Sequence, residues 1–185
     1  MVQLPQTPRL RFRRVRPDDA ERFDALDRDE GVLRFIDWEP PTFDEQREAI
    51  AGYIAEYEQW PDYGRFVAES LAGEFLGWFG LRVHADPLFP SLGYRLHRRF
   101  WGQGLATEGS IALIDYAFTQ LDASAVHADT MFINQASRRV MEKCGMTYVK
   151  TYHVQFDNPL PGTDHGEVLY QVARDEWLAR RKGKD

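Results

Sequence analysis

Cysteine is almost absent from this chain, and long apolar runs are absent altogether. Its 185 residues include a single cysteine, Cys144. One cysteine excludes an internal disulfide and a cysteine-rich metal site, and it is typical of a reducing compartment. No apolar stretch approaches the roughly 18 residues of a membrane span, and residues 1–14 lack the apolar core of a secretory signal. We therefore expect a cytoplasmic protein that does not bind a membrane.

Excess positive charge is also missing. The chain has 23 lysines and arginines against 29 aspartates and glutamates, a formal net charge of -6. An acidic protein is poorly suited to hold a polyanion over a wide surface, so broad nucleic-acid binding is disfavoured. A local basic patch, residues 95–99, could still hold a small phosphorylated ligand.

Repeats, low-complexity tracts and shifts in composition are likewise missing. The length and the 43% hydrophobic content predict one globular domain over residues 1–185. Apolar residues at a period of two predict strands, and apolar residues at helical spacing predict helices. Turn and capping residues mark the ends of these elements. The predicted strands are 10–15, 66–70, 75–83, 92–96, 126–132, 147–156 and 167–172, and the predicted helices are 17–29, one from 42, 105–121, 135–143 and 175–181. This order predicts an α+β fold around a mixed sheet.

The most informative stretch is 92–108, where a predicted strand passes through a turn with Gly102 and Gly104 into a helix that begins near Leu105. Unpaired main-chain N–H groups at the positive end of a helix suit a pyrophosphate. Taken alone the pattern is weak, because the two glycines could simply shape a tight turn. No Gly-Lys-Ser/Thr follows, and Gly109 comes too late for the dinucleotide fingerprint, so nucleoside triphosphates and nicotinamides are disfavoured.

A second motif follows one strand downstream, NQASRRVMEKCGM at residues 134–146. Together with FWGQGLATEG at 100–109 and the opening TPRLRFRRVRPDD at 7–19, it resembles the GNAT superfamily of acetyl-CoA-dependent N-acetyltransferases. Within that superfamily the motifs are similar to the branch of the ribosomal-protein N-terminal acetyltransferases. The resemblance runs from Thr7 to about Tyr170, and it implies a mixed, mostly antiparallel β-sheet with helices on both faces and a splayed central strand pair.

The resemblance also implies acetyl-CoA as the cofactor. We prefer a pyrophosphate signature that starts at Trp101 over one that starts at Arg99, so the main-chain amides of 102–107 form a cradle with the two arginines 98 and 99 beside it. The pantetheine arm is expected along the open strand edge at 94–96, facing the second motif. The expected cofactor-binding residues are Tyr94, Arg95, Leu96, Arg98, Arg99, Trp101, Gly102, Gln103, Gly104, Leu105, Ala106, Thr107, Asn134 and Ser137.

The implied reaction is direct attack of an amine on the thioester, which needs a base, an acid and an oxyanion donor. Many family members have a tyrosine acid seven residues after Asn134, but here that position is Met141. Ser137 is the expected substitute, as in the ribosomal branch, and Tyr94 is a second candidate catalytic residue. The glutamate that often starts the strand before the cradle is replaced by Ser91, so the base is unassigned.

The candidate acceptor-binding residues are Phe35, Trp38 and His84. Two of them lie in the loop 35–41. In this fold the acceptor pocket is formed by variable loops, which here are 35–41 and 156–166. The expected acceptor is a primary amine, with a protein N-terminus as the first candidate. A small-molecule amine such as an amino sugar, antibiotic or polyamine stays open, as does a non-catalytic acyl-CoA sensor. Related proteins often dimerise, so a homodimer is a further candidate.

No metal site is expected. His127 and Asp129 share one strand face, but no third ligand is evident, and a structural role is favoured. Cys144 precedes Gly145 at a predicted helix end, where a small apolar side chain is expected. We therefore expect a buried, unreactive thiol there.

Overall fold

The structure is a computed structural model that describes residues 2–36 and 39–182. In this part of the chain the strands are β1 (Leu10–Arg14), β2 (Gly64–Ser70), β3 (Phe75–Arg82), β4 (Ser91–Leu96), β5 (Ala125–Met131), β6 (Thr147–Tyr152) and β7 (Glu167–Ala173). The helices are α1 (Ala20–Asp27), α2 (Glu30–Leu33), α3 (Phe43–Gln59), α4 (Leu105–Gln120), α5 (Gln135–Lys143) and α6 (Arg174–Lys182). None of these described helices is both long enough and apolar enough to cross a membrane.

The described strands form one sheet in the order β1-β2-β3-β4-β5-β7-β6. Neighbouring strands run antiparallel except β4 and β5, which are parallel. These two pair at one position, Ser91 with His127. Within the described residues, the edge of β4 at 94–96 therefore has no strand partner on the β5 side. This confirms the predicted α+β fold with a mixed, mostly antiparallel sheet and a splayed central pair.

Helices cover both faces of the sheet. Side chains alternate along a strand, so β4 sends Leu96 to one face and Arg95 to the other. Leu96 packs in a buried cluster with Phe118 of α4, and we call this side the α4 face. On the opposite side Phe23 of α1 packs against Val67 of β2 together with α3, and we call this the α1–α3 face. The α4 face carries the larger core, and the α1–α3 face carries more charge.

Local signals account for several element bounds. Thr42 begins α3 with a capping box, because its hydroxyl accepts from the Glu45 amide at 3.3 Å while its own amide donates to the Glu45 carboxylate at 2.7 Å. The short helix α2 was not predicted; the Asp29 carboxylate caps it by accepting from the Gly31 amide at 2.9 Å. Strand β6 ends at residue 152 and not at 156, so the predicted strand was too long.

One apolar side chain of α4 faces outward. Ile111 is 38% exposed, while Leu113, Ile114, Ala117 and Phe118 are fully buried. On a helix of 3.6 residues per turn, position 111 lies about a quarter-turn from the centre of the stripe that those four define, at the edge next to Phe118. The helix therefore buries a narrower face than the apolar sequence suggests.

Candidate active site

The turn between β4 and α4 presents main-chain N–H groups. Gly102 (φ 72°) and Gly104 (φ 79°) both adopt the left-handed conformation that favours glycine. Gly104 is the N-cap of α4, and its carbonyl accepts from the Glu108 amide at 2.9 Å. Within the described residues, the amides of 102–107 have no protein acceptor, and a Cβ on Gly102 would meet nothing within 4 Å. These open donors at the positive end of α4 suit phosphate oxygens.

The segment before β1 is fastened to this turn through Glu108. The Thr7 hydroxyl donates to Glu108 Oε1 at 2.6 Å, and Arg9 Nε donates to Oε2 at 2.6 Å. Arg9 also donates to the Gln103 carbonyl at 2.9 Å, and a Cβ on Gly104 would lie 3.6 Å from its Nη2. Although partial burial opposes the effect, these hydrogen bonds lower the pKa of Glu108. Arg9 therefore fixes the turn and places a positive charge beside its amides, a role that sequence reasoning missed.

Two further arginines flank the turn. Arg98 pairs with Asp29 at 3.4 Å, and Arg99 pairs with Glu74 at 3.2 Å. Both arginine side chains are about three-fifths exposed. Exposed ion pairs of this kind contribute little to stability. Both guanidinium groups can therefore turn toward an anion at low cost.

Two side chains brace the turn from within. The Trp101 indole N–H donates to the Leu96 carbonyl at 2.8 Å, and the Gln103 amide group donates to the Arg99 carbonyl at 2.8 Å. The Trp101 ring is half exposed and lies at the rim. The Leu96 carbonyl at the open edge thus already has a partner.

Tyr94 and Ser137 were predicted as catalytic residues, and the structure brings their side chains together. Burial raises the pKa of Tyr94, and the Ser137 side chain lies close enough to the Tyr94 hydroxyl to oppose that rise. Asn134 caps α5, since its Oδ1 accepts from the Ser137 amide at 3.2 Å while its Nδ2 donates to the Thr130 hydroxyl at 3.1 Å. The donor and the acceptor of Asn134 both have protein partners, so its contact with a cofactor stays a prediction.

The residues behind this pair are apolar or unreactive. Met141 is buried at the position where a tyrosine acid was considered. Cys144 is buried, its thiol donates to the Thr107 carbonyl at 3.8 Å, and burial raises its pKa to about 12. The thiol is therefore protonated at neutral pH, and the prediction of a buried cysteine is confirmed.

Sequence reasoning missed a carboxylate pair on the α1–α3 face, Asp129 of β5 and Glu167 of β7. Glu167 pairs with Met131 on one side and with Tyr152 of β6 on the other. The Tyr152 hydroxyl donates to Asp129 Oδ2 at 3.1 Å. Burial, and then the charge of Asp129, raise the pKa of Glu167 to about 7. A carboxylate with such a pKa can take up and release a proton at neutral pH.

The predicted acceptor-binding residues are only partly located. Phe35 is half-buried after α2, with the Arg34 guanidinium 5.1 Å from its ring centre. Trp38 lies outside the described residues. His84 is exposed after β3 and lies close enough to His127 to act, with burial, in lowering the pKa of that imidazole. No group of metal-ligating side chains occurs in the described part of the chain.

Comparison with known proteins assigns the family. A model of the acetyltransferase (GNAT) domain matches residues 9–147, from before β1 into β6. The chain belongs to the GNAT acetyltransferase family. Its resemblance to this family is thereby confirmed, and as a family member the protein is an acetyltransferase. It is similar to the FsC-acetyl coenzyme A-N(2)-transacetylase of Aspergillus fumigatus, 36% identical over 166 residues, which are 85% of this chain and 70% of the relative.

Solved structures of this family share the fold. The spermidine N-acetyltransferase of Vibrio cholerae, in complex with CoA and spermine, superposes with a TM-score of 0.79 at 18% identity, over 93% of this chain and 99% of that one. The ribosomal L7/L12 alpha-N-protein acetyltransferase RimL, in complex with coenzyme A, gives 0.78 at 20% identity, over 94% and 98%. At these identities the likeness establishes the fold, and the acceptors of the two enzymes differ.

Proposed function

We propose that the protein is an acetyl-CoA-dependent N-acetyltransferase that acetylates a primary amine by direct attack on the thioester. One observation carries this proposal. The unpaired amides of 102–107 lie at the end of the strand that bears Tyr94, and the Tyr94 hydroxyl meets Ser137 from the other side of the β4–β5 opening. Anion-binding donors and a hydroxyl pair thus flank one gap in the sheet.

The turn fits the diphosphate of coenzyme A. Its amides have no protein acceptor, the space above Gly102 is open, and Arg9 places a positive charge beside Gly104. We expect these groups, with Arg98 and Arg99, to hold the diphosphate, and the open edge at 94–96 to hold the pantetheine arm. When bound, acetyl-CoA supplies the thioester carbonyl that the amine attacks.

Three side chains handle the protons. Glu167 accepts a proton from the acceptor ammonium, directly or through one water, and leaves the nitrogen lone pair free to attack. The new N–C bond forms as the C–S bond breaks. The Ser137 hydroxyl donates its proton to the departing sulfur and takes back the proton that the acylated nitrogen loses. Tyr94 holds the Ser137 hydroxyl in place through its own buried hydroxyl. Replacing Ser137 therefore tests the assignment of the acid.

Ser137→Ala is expected to lower kcat about 100-fold while leaving the Kd for acetyl-CoA within about twofold of wild type, since general acids contribute factors of this size. Release of free thiol gives the rate, and calorimetry gives the affinity. Tyr94→Phe preserves the ring, which lies 5.6 Å from that of Phe79, and should lower kcat less. An unchanged kcat in Ser137→Ala would remove that residue from the mechanism. Binding by the wild type without transfer to any amine would instead indicate an acyl-CoA sensor.

Glu108→Gln is expected to weaken acetyl-CoA binding about tenfold, or ~1.4 kcal/mol. The substitution keeps the size of the side chain but removes the charge that holds Arg9 and, through Arg9, the Gln103 carbonyl. Isothermal titration with acetyl-CoA measures the change. Glu21→Gln, an exposed site on α1, removes the same charge elsewhere and should bind as wild type does. Equal affinity in the two variants would contradict the proposed role of the Arg9–Glu108 pair.

A further inference from the structure

On the α1–α3 face of the sheet, two glycines lie side by side. Gly80 of β3 pairs with Gly93 of β4. A Cβ on Gly93 would have Trp78 as its nearest neighbour, at 3.8 Å. A Cβ on Gly80 would lie 3.3 Å from the Gly64 carbonyl oxygen, 3.5 Å from the Arg65 stem and 3.7 Å from the Arg82 stem. Two adjacent positions without side chains thus form a floor that an aromatic ring and two arginine stems border.

Three arginines surround this floor, and we call Arg65, Arg82 and Arg95 the arginine ring. Arg65 of β2 pairs with Gly80. Arg82 follows Gly80 by two residues on β3, and Arg95 follows Gly93 by two residues on β4, so all three share the α1–α3 face. Successive residues on one face are about 7 Å apart along a strand, and adjacent strands are about 5 Å apart. The guanidinium carbons of Arg65 and Arg95 lie 5.1 Å and 5.5 Å from the centre of the Trp78 ring. Arg82 lies close enough for its charge to act on Arg65, so the three positive groups form one cluster.

Their positive charge is only partly neutralised. Among the described residues, Asp27 forms the one ion pair with the ring, through Arg95. Burial and the charges of Arg82 and Arg95 lower the pKa of Arg65, with Glu56 and Tyr53 acting against them. The Nε atoms of all three ring arginines are buried without a hydrogen-bond partner in the described chain.

Arg13, on the same face, is an arginine whose charge is neutralised by carboxylates. Arg13 donates to both Asp19, at 2.7 Å, and Glu69, at 2.9 Å. Among the described residues, Arg65 forms no ion pair with a carboxylate, and its guanidinium carbon lies 3.8 Å from the centre of the Tyr53 ring. Arg82 has no ion-pair or hydrogen-bond partner within the described residues. Buried donors without acceptors cost stability, so the ring has the composition of a site that an anion completes.

We propose that the arginine ring binds a carboxylate of the acceptor, so that the substrate is an amine that also carries a negative group. This inference rests on the proposed function and names its substrate class. The ring lies on the same sheet face as Asp129 and Glu167, and Ser91 and His127 join the two regions across the β4–β5 pair. The ammonium group of the acceptor then faces Asp129 and Glu167, and the carboxylate group of the same acceptor faces the arginine ring. A polyamine has no group for the ring and is repelled by it.

The test uses acceptors in matched pairs. Lysine and lysinamide differ only in a carboxylate, and the C-terminally amidated peptides Ser-Glu-Ala and Ser-Gln-Ala differ only in an acidic side chain beside the N-terminus. With acetyl-CoA present, kcat/KM for the carboxylate member of at least one pair is expected to be about tenfold or more above its neutral partner and above spermidine. The pair that shows the preference identifies a free amino acid or an acidic N-terminus as the source of the carboxylate.

Arg82→Gln is expected to reduce that preference to less than about threefold by raising KM, with kcat and the Kd for acetyl-CoA unchanged. Arg82→Lys keeps the charge and should keep most of the preference. Arg47→Gln, an exposed site on α3, removes the same charge away from the ring and serves as the control. Calorimetry of the carboxylate acceptor with the CoA-bound protein should show the same loss of affinity in Arg82→Gln without any turnover.

The outcomes separate two kinds of failure. A wild-type preference for lysinamide, the neutral peptide or spermidine would overturn the proposal, as would an equal effect of Arg82→Gln on both members of a pair. Failure of the wild type to bind acetyl-CoA would count against the proposed function instead. In that case, carboxylate binding to the protein, and its loss in Arg82→Gln, still reports on the ring.

Discussion

Gly104→Glu is expected to weaken acetyl-CoA binding by at least about 100-fold, or ~2.8 kcal/mol. Two effects act in the same direction. Gly104 has φ 79°, so any side chain strains the N-cap of α4. The new carboxylate also places a negative charge among the amides that are expected to hold a diphosphate. Isothermal titration measures the affinity, and circular dichroism with thermal melting shows whether the fold is retained.

Two variants separate strain from charge. Gly104→Asn introduces a side chain that tolerates the left-handed conformation and carries no charge, so it should lose much less affinity. Gly52→Glu adds the same charge on α3, where a Cβ meets nothing within 4 Å, and should leave binding unchanged. Wild-type affinity in Gly104→Glu, with the fold intact, would place the diphosphate elsewhere.

Local patterns were enough to predict most of the fold. The helix over 135–143 has the predicted bounds, and α3 begins directly after Thr42, where a helix start was predicted. The glycines 102 and 104 marked the turn correctly, because a left-handed backbone conformation is a property of the residue itself. These features depend on neighbours within a few positions, so a single sequence specifies them.

The parts of the site that were missed depend on distant pairing. Asp129 and Glu167 are 38 positions apart, and they meet because β5 and β7 pair antiparallel in one particular register. The arginine ring likewise requires the registers of β2, β3 and β4. A shift of one residue would send each of these side chains to the other face. Asn134 could be placed from its motif, but its capping bonds to Ser137 and Thr130 could not.

Glu167→Gln is expected to lower kcat/KM about 100-fold or more and to remove one inflection from its pH profile. The pKa of Glu167 is raised to about 7, chiefly by burial and then by Asp129. A base works only when it is deprotonated. The wild-type kcat/KM should therefore rise as the pH increases toward 7 and level off above it. The kcat/KM of Glu167→Gln should not show this rise.

Asp129→Asn tests the cause of the raised pKa. Without the neighbouring charge the pKa of Glu167 should fall, although burial still holds it above the usual value, and the inflection should move to lower pH. An inflection that belongs to the acceptor amine would not move in this variant. Tyr152→Phe removes the hydrogen bond to Asp129 but no carboxylate, so it controls for loss of that contact.

Stability supplies a measurement that does not depend on acetyl-CoA. A carboxyl group whose pKa is higher in the folded state than in the unfolded state binds its proton more tightly when folded, so its contribution to stability is lost as the pH rises through 7. Glu167→Gln, which stays neutral, should therefore melt at a higher temperature than wild type at pH 8, with the difference shrinking below pH 5. If the melting difference appears without a change in kcat/KM, Glu167 is a half-buried acid but not the base.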